Sequence, residues 1–283
     1  MRNANWVLML VAAIIAALVA FGGLNPWVPA LGLLTGVLAR FVIWPIEAKR
    51  SRGIAVGRVY RPVNPAGDEM TADARAAFRR VEDGLKPLGF DLVAVLSLLG
   101  RVVNVDGFLG LYRNAKTKEA ARFVLTVATG PGTRRTSRVL AYITTFGDGT
   151  EVSTANRKSV RPVPAQGPPI VAYNIPQADD AAELLAIHRA LVDRSDGGRI
   201  RVDPVGDDPL GYQEAIEHRQ TEYLETRGLF RLHAEAREIR PTWRGAVLGT
   251  WRLLWPLNPL LLAAERRAGA RLVRSVRAGQ PDR

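Results

Sequence analysis

The sequence contains no cysteine, only three histidines, and only five lysines among its 39 basic residues. The absence of cysteine excludes disulfide bonds, iron–sulfur clusters and thiol nucleophiles. Three motifs of common active sites are also absent: the Gly-Lys-Ser/Thr ending of a phosphate-binding loop, the Gly-x-Ser-x-Gly nucleophile turn and the His-Glu-x-x-His zinc motif. No reaction can therefore be read from the sequence, and no cofactor is predicted.

Charged residues are absent from a stretch of 37 residues, 3–39, near the N-terminus. One helix crosses a bilayer with about 20 apolar residues, so this stretch is too long for one span and suits two. The sequence Gly-Gly-Leu-Asn-Pro at 22–26 has the chemistry of a turn and divides the stretch. We therefore predict a transmembrane helical hairpin, with helices at about 5–21 and 27–46, in an anchor that covers residues 1–48.

Aromatic and basic side chains near the ends of these two helices favour the membrane–water interface. The predicted interface residues of the anchor are Trp6, Trp27, Arg40 and Trp44. Gly32 and Gly36 lie about one helical turn apart and are predicted to let the two helices pack closely. The alternative is that glycine is simply common in membrane helices.

Basic residues dominate 49–70, which we predict to be a basic juxtamembrane linker. The positive-inside rule places this linker in the cytoplasm, and two spans return the N-terminus to the same side. Arginine and alanine are abundant, as in proteins from GC-rich bacterial genomes, so the predicted location is the inner (plasma) membrane of a bacterium. The competing interpretation is a cleaved signal peptide followed by a single anchoring helix.

Residues 71–240 have the pattern of a folded domain that begins with a helix and continues with strands. Thr71 is the predicted N-cap of that helix, because an apolar stripe of helical spacing follows it. The stretches predicted as strands are 91–99, 107–112, 122–128, 139–146 and 150–156. The links between them are short, and the sequence Phe-Gly-Asp-Gly-Thr at 146–150 is typical of a hairpin turn. We therefore predict an antiparallel sheet.

Helical patterns return later in this domain. The segment 161–176 holds five prolines and is predicted to be a surface connection. Apolar stripes of helical spacing then predict helices at about 181–196 and 209–227, each followed by glycine. Strands followed by helices indicate the α+β class.

The net charge of +12 favours an anionic partner, either nucleic acid or the lipids of the cytoplasmic leaflet. The charge is unevenly distributed, since 176–240 carries 14 acidic and 9 basic residues, whereas 241–283 carries 2 acidic and 8 basic residues. The basic, aromatic-rich strand of an RNA-binding sheet is missing. We therefore predict anionic lipid, and not nucleic acid, as the partner.

Two histidines have a context that bears on chemistry. Glu214, His218 and Glu222 are spaced i, i+4, i+8 on one predicted helix and have the side chains of a metal site. One helix rarely completes such a site, so we predict no metal here and interpret the residues as paired charges on a solvated face. His188 lies on an apolar stripe and is predicted to be a partly buried histidine with one hydrogen-bond partner.

The last segment, 241–283, combines tryptophan, leucine and arginine as does a helix that lies among lipid headgroups. We predict a basic amphipathic C-terminal helix and a second contact with the membrane. The predicted membrane-contacting residues are Trp243, Trp251, Trp255, Arg266, Arg267, Arg271 and Arg274. The alternative is an ordinary helix packed against the sheet.

Two functional hypotheses follow from these features. The preferred one is a membrane-tethered protein that presents a cytoplasmic domain for binding or scaffolding, with the lipid bilayer and an unidentified protein as partners. The alternative is a membrane-bound enzyme that acts on a lipid or another anionic substrate through acidic residues of the 209–228 helix. Convergence of Glu214 and His218 on a pocket would favour the enzyme, whereas their exposure to solvent would favour the binding protein.

Overall fold

The computed structural model describes residues 27–50, 54–55, 60–98, 105–130, 133–161, 169–233 and 238–278. Its helices are α1 (Trp27–Arg50), α2 (Ala72–Leu85), α3 (Ala181–Asp196), α4 (Pro209–Thr226), α5 (Trp243–Leu253) and α6 (Leu257–Arg277). Its strands are β1 (Ile54–Ala55), β2 (Tyr60–Pro62), β3 (Asp91–Leu98), β4 (Val105–Asn114), β5 (Glu119–Gly130), β6 (Thr133–Phe146), β7 (Glu151–Ala155), β8 (Ile170–Asn174), β9 (Arg201–Val202), β10 (Phe230–His233) and β11 (Glu238–Pro241). The predicted α+β class is confirmed.

The large sheet has the strand order β2-β3-β4-β5-β6-β7-β8, and β9 pairs with the end of β6. From β2 to β7, each strand is antiparallel to the next one in the sheet, as predicted for the stretches joined by short links. The turn between β6 and β7 is the predicted one. There Gly149 has a φ of +80°, which favours glycine, and its N–H donates to the carbonyl of Phe146.

The prediction that 161–176 is only a surface connection is wrong, because strand β8 lies within this segment. It pairs in parallel with β7, from Glu151 opposite Ile170 to Ala155 opposite Asn174. The prolines around β8 conceal a strand of only five residues. A parallel partner also requires a long connection, which the pattern of neighbouring strands does not reveal.

Helices α2 and α3 cover one face of the large sheet and form the main core with it. Phe78 of α2 contacts Phe123 of β5, with their ring centroids 5.1 Å apart. Gly110 on β4 makes room for this contact, since a Cβ there would lie 2.7 Å from Cε1 of Phe78. The largest fully buried side chains in this core are Met70, Leu85, Phe90, Tyr112, Phe123, Leu125 and Tyr142. We call the opposite side of the sheet, which α4 covers, the α4 face.

A second unit combines α1, α5 and a small sheet of order β1-β11-β10. Helix α1 packs against α5, and both contact β11. The segment 49–70, predicted to be only a linker, contributes β1 to this sheet and β2 to the edge of the large one. Strand β11 spans the boundary predicted at residue 240. Strands β1 and β2 pair with strands far away in the sequence, and no local sequence pattern predicts such pairing.

None of the helices in the described parts of the chain has the length and apolar character needed to cross a membrane. The predicted first helix at 5–21, together with Trp6, lies outside the described residues. Helix α1 contains the second predicted helix, 27–46, and continues to Arg50. The predicted partner of Gly32 and Gly36 is also outside the described residues, so their packing role stays a prediction.

The C-terminal segment forms two helices rather than one. Helix α5 ends at Leu253 and α6 begins at Leu257, with Pro256 as its N-cap residue. The apolar side of α6 packs on the main core through Leu272, Val273 and Val276. The second half of the predicted membrane-surface helix therefore follows the alternative interpretation, a helix packed on the domain. The sequence shows an apolar stripe but not which surface covers it.

Candidate functional site

The stripe of Glu214, His218 and Glu222 lies on the solvent side of α4, and all three side chains are exposed. The buried side of this helix consists of Gln213, Ile216 and Leu224. Among the described residues, no three His, Asp or Glu side chains are grouped so that they could hold a metal ion. In the part of the chain that the structure describes, the stripe therefore points to solvent and not toward other potential metal ligands.

His188 is fully buried between α3 and the large sheet. Its Nε2 lies 2.9 Å from Oγ1 of Thr144 and its Nδ1 lies 3.0 Å from Oγ1 of Thr154. It was predicted to be partly buried with one hydrogen-bond partner, and it has two partners and no exposed surface. A side chain so enclosed has a structural role, because no substrate can reach it.

Burial lowers the pKa of His188 to about 4, although the nearby Glu119 carboxylate opposes the shift. In the unfolded chain His188 therefore takes up a proton near pH 6.5, whereas in the folded chain it does so only near pH 4. We expect the contribution of neutral His188 to be fully present above pH 6.5. The free energy of unfolding should then fall by about 3 kcal/mol as the pH drops to 4. His188→Gln keeps two hydrogen-bonding groups but cannot titrate, so its unfolding free energy should fall less. Urea unfolding of both proteins between pH 7 and pH 4.5 would measure this difference, and equal slopes would contradict it.

Exposed apolar side chains are concentrated on α1, α5 and the start of α6, of which α1 and α6 each pack against α5, and we call this set the junction surface. Its residues are Val42 and Ile43 of α1, Trp243, Trp251 and Leu253 of α5, and Trp255, Leu257 and Leu260 at the start of α6. Trp255 is 70% exposed and Leu260 is 62% exposed. Contiguous apolar patches are uncommon on monomeric soluble proteins and mark interaction sites. Most of the large exposed apolar side chains of the described residues lie here.

Specific contacts hold the helices of the junction surface together. The indole N–H of Trp251 donates to the carbonyl of Phe41 at 2.8 Å, and the two rings meet edge to face. Thr242 is the N-cap of α5, and its hydroxyl donates to the carbonyl of Gly228 at 2.7 Å. Gly245 packs directly on the backbone of Leu229, where no side chain would fit. The exposed tryptophans therefore project from a fixed helix pair.

Basic side chains follow the junction surface along α6. The predicted membrane-contacting arginines Arg266, Arg267, Arg271 and Arg274 are all exposed. The apolar side of the same helix faces the core, so these arginines lie on its solvent side. The structure thus separates the two predicted parts of the tail: tryptophan and leucine at the junction, arginine along α6. Arg40 and Trp44 of α1, also predicted at the interface, are partly buried, and the side chain of Trp27 is outside the described set.

Polar groups gather on the α4 face of the large sheet, a feature that the sequence analysis missed. The hydroxyl of Tyr60 donates to Glu217 and accepts a hydrogen bond from Gln213 at 2.9 Å. Burial and the bond to Glu217 raise the pKa of Tyr60, so the hydroxyl stays protonated. Arg122 also lies on this face, in the middle of β5. A charge at an alternating position of a buried strand was the one signal in the sequence that pointed to it.

Comparison with known proteins gave no match to a family model, to a curated protein or to a solved structure. The class of the protein therefore rests on its own fold and surfaces. The described residues define an α+β domain with an exposed apolar junction, a basic helix beside it, and a polar cluster on one face of the sheet.

Proposed function

We propose that this chain is a membrane-tethered binding protein whose domain rests on the anionic cytoplasmic face of the bilayer. The tether in this proposal is the uncharged stretch 3–39, which inserts in the inner membrane and includes the first part of α1. The alternative of an enzyme acting through Glu214 and His218 loses its main support, because both side chains are exposed on α4.

The junction surface is the observation that carries this proposal. Tryptophan and leucine side chains that are exposed together suit the boundary between headgroups and acyl chains. Val42 and Ile43 of α1 belong to the same set, and α1 packs against α5, so the set includes part of the helix in which the uncharged stretch ends. A domain joined to a bilayer at this point would bring the exposed residues of α5 to the interface.

Charge supports an anionic lipid surface as the occupant of this face. Each basic residue close to such a surface contributes about 1 kcal/mol, an effect that fades within a Debye length. The four exposed arginines of α6 follow the junction surface along the chain, whereas α4 exposes the acidic residues Glu214 and Glu222. The basic helix would then lie near the lipid, leaving the acidic helix for a basic protein partner.

The absence of cysteine allows a direct test by single-cysteine labelling of the full chain. Ile200→Cys is the matched control, because Ile200 is an exposed apolar residue outside the junction surface, at 75% exposure. A membrane-impermeant maleimide should label Ile200→Cys in inverted membrane vesicles and not in intact spheroplasts. Trp255→Cys and Leu260→Cys should react several-fold more slowly in the same vesicles, because the interface shields them.

Two results would contradict the proposal. Labelling of Ile200→Cys in intact spheroplasts would place the domain on the other side of the membrane. Equal labelling rates at Trp255→Cys and Ile200→Cys in inverted vesicles would show that the junction surface faces water.

A further inference from the structure

Arg122 is an unusual residue for the middle of a sheet. It lies opposite Leu111 of β4 and Ala141 of β6, and its side chain is on the α4 face. Its Nε is buried and has no hydrogen-bond partner among the described residues. A buried donor without an acceptor destabilises a fold by about 1–3 kcal/mol. A bound anion is one way to satisfy such a donor.

The sheet leaves little side-chain volume next to Arg122. Along the same row of the sheet, Arg122 is followed by Ala141 of β6, Ala155 of β7 and Asn174 of β8. The two alanines separate the guanidinium from the amide of Asn174, which donates to Glu265 of α6 at 3.0 Å. The row thus has a polar residue at each end, Arg122 and Asn174, and two alanines with short side chains between them.

Two further arginines belong to this site. Arg157 and Arg161 follow β7 directly, and both are partly buried. The backbone of Arg157 is fixed by two hydrogen bonds with the side chain of Asn174, at 2.9 and 3.1 Å. The carbonyl of Arg161 accepts a hydrogen bond from Arg252 of α5 at 3.0 Å. These bonds hold the segment that carries both arginines against the end of the row.

The charges of these three arginines act on one another. Burial, then the positive charge of Arg161 and that of Arg122, lower the pKa of Arg157 to about 10, against the opposing effect of Glu265. Burial and the charge of Arg122 likewise lower the pKa of Arg161, which Glu265 again opposes. Partly buried like charges repel one another, so the group is under electrostatic strain that a bound anion would relieve.

The nearby carboxylates of the described residues do not balance this charge. Glu151 is buried and pairs with Arg219, at 3.4 Å between Oε2 and Nη2. Burial raises the pKa of Glu151, and the charges of Arg219 and Arg122 oppose that shift. Glu217, also on this face, accepts a hydrogen bond from Tyr60, and Glu265 acts on both Arg157 and Arg161. Counting Arg219, four arginines of the described residues share three carboxylates, so the cluster retains an excess of positive charge.

We propose that Arg122, Arg157 and Arg161 form a binding site for a phosphate group on the α4 face of the sheet, at the end of this row beside Arg252 of α5 and Glu265 of α6. The planar guanidinium matches the geometry of phosphate oxygens and can donate two parallel hydrogen bonds to them. A phosphate would supply both the missing acceptor for Nε of Arg122 and the missing negative charge. The phosphate can belong to a lipid headgroup or to a small soluble molecule. The site does not depend on the proposed membrane contact.

The test measures thermal unfolding of the full chain in a phosphate-free detergent solution, with and without inorganic phosphate. A parallel series adds micelles that contain phosphatidic acid. Stabilisation by inorganic phosphate alone identifies a soluble phosphate ligand, and stabilisation only by phosphatidic acid identifies a lipid headgroup. Either result supports the site, and no effect of either ligand on the wild-type protein would overturn it.

Substitutions assign the effect to these residues. Arg122→Met and Arg161→Met should bind the stabilising ligand at least about tenfold more weakly, because each removes charge-assisted hydrogen bonds. Arg138→Met is the control, since Arg138 is exposed on β6, and it should bind as the wild-type protein does. The ligand-free Arg122→Met protein should melt at or above the wild-type temperature, because it loses a buried N–H that has no acceptor among the described residues.

Unchanged binding in Arg122→Met would exclude a ligand role for Arg122. Unchanged binding in Arg161→Met would exclude a ligand role for Arg161. If the junction surface fails its labelling test, phosphate binding is still expected, so the failures of the two proposals can be distinguished.

Discussion

Gly245→Ala is expected to destabilise the chain by at least about 3 kcal/mol, although it adds a single methyl group. A Cβ at position 245 would lie 1.8 Å from the carbonyl oxygen of Leu229, and backbone atoms there cannot move aside like a flexible side chain. The cap residue Thr242 is bonded to the same carbonyl at 3.2 Å, so the first turn of α5 has no room to shift. The substitution should displace α5 and with it the junction surface.

Gly84→Ala is the matched control for this substitution. Gly84 also lies in a helix, but a Cβ there would meet only Cβ of Ala181, at an ordinary distance of 3.7 Å. Alanine is favoured over glycine inside a helix by about 1 kcal/mol, so this variant should be more stable than the wild-type protein. Thermal unfolding of the two variants side by side measures the difference. Similar shifts in both would show that α5 does not pack on Leu229 as described.

Arg189→Met is expected to destabilise the protein by about 3 kcal/mol at pH 7, because it leaves the Glu119 carboxylate buried without its charged partner. Glu119 has no exposed surface and accepts hydrogen bonds from Nη2 of Arg189 at 2.8 Å and from the hydroxyl of Thr117 at 2.7 Å. The value is at the lower end for a buried pair, since the side chain of Arg189 is 40% exposed and water screens its charge.

The pH dependence of this variant has a defined sign. Burial alone would raise the pKa of Glu119, but the hydrogen bonds from Arg189 and Thr117 and the Arg189 charge hold it below its ordinary value. In the wild-type protein the carboxylate therefore stabilises the fold at neutral pH, and this contribution is lost as the pH falls through its folded pKa. Without Arg189, burial dominates and raises the pKa, so acidification should reduce the loss caused by Arg189→Met.

A double variant separates the pair from its surroundings. Glu119→Leu combined with Arg189→Met removes both charges and should recover most of the lost stability. Urea unfolding at pH 7 and at pH 5 gives the required free energies. A single variant as stable as the wild-type protein, or a double variant no more stable than the single one, would contradict the assignment.

Local signals in the sequence were sufficient for the elements that they govern. Thr71 caps α2, with its hydroxyl accepting from the N–H of Ala74 at 3.3 Å, and α3 ends at the left-handed Gly197. The strands that follow one another through short links pair as predicted. In these cases a cap, a glycine or an alternating pattern acts within a few residues, so the chain determines the structure locally.

The sequence was insufficient wherever the partner is distant. Ile54 of β1 pairs with Ile239 of β11, and no pattern near either residue indicates the other. The stripe of Leu272 and Val276 suited a bilayer as well as a protein core, and only tertiary packing decides between them. The arginine cluster also combines separate segments, β5 and the residues after β7. The position of Arg122 in the sequence was therefore not enough to predict the cluster.

The central claim is that the junction surface lies in the boundary between lipid headgroups and acyl chains. A nitroxide spin label on Trp255→Cys, in the full chain reconstituted into anionic nanodiscs, measures this depth from its collisions with oxygen and with a water-soluble nickel chelate. We expect the label to lie about 5–10 Å below the headgroup surface, accessible to oxygen and shielded from nickel, while a label on Ile200→Cys is exposed to nickel. Equal access of nickel to both labels would contradict the claim.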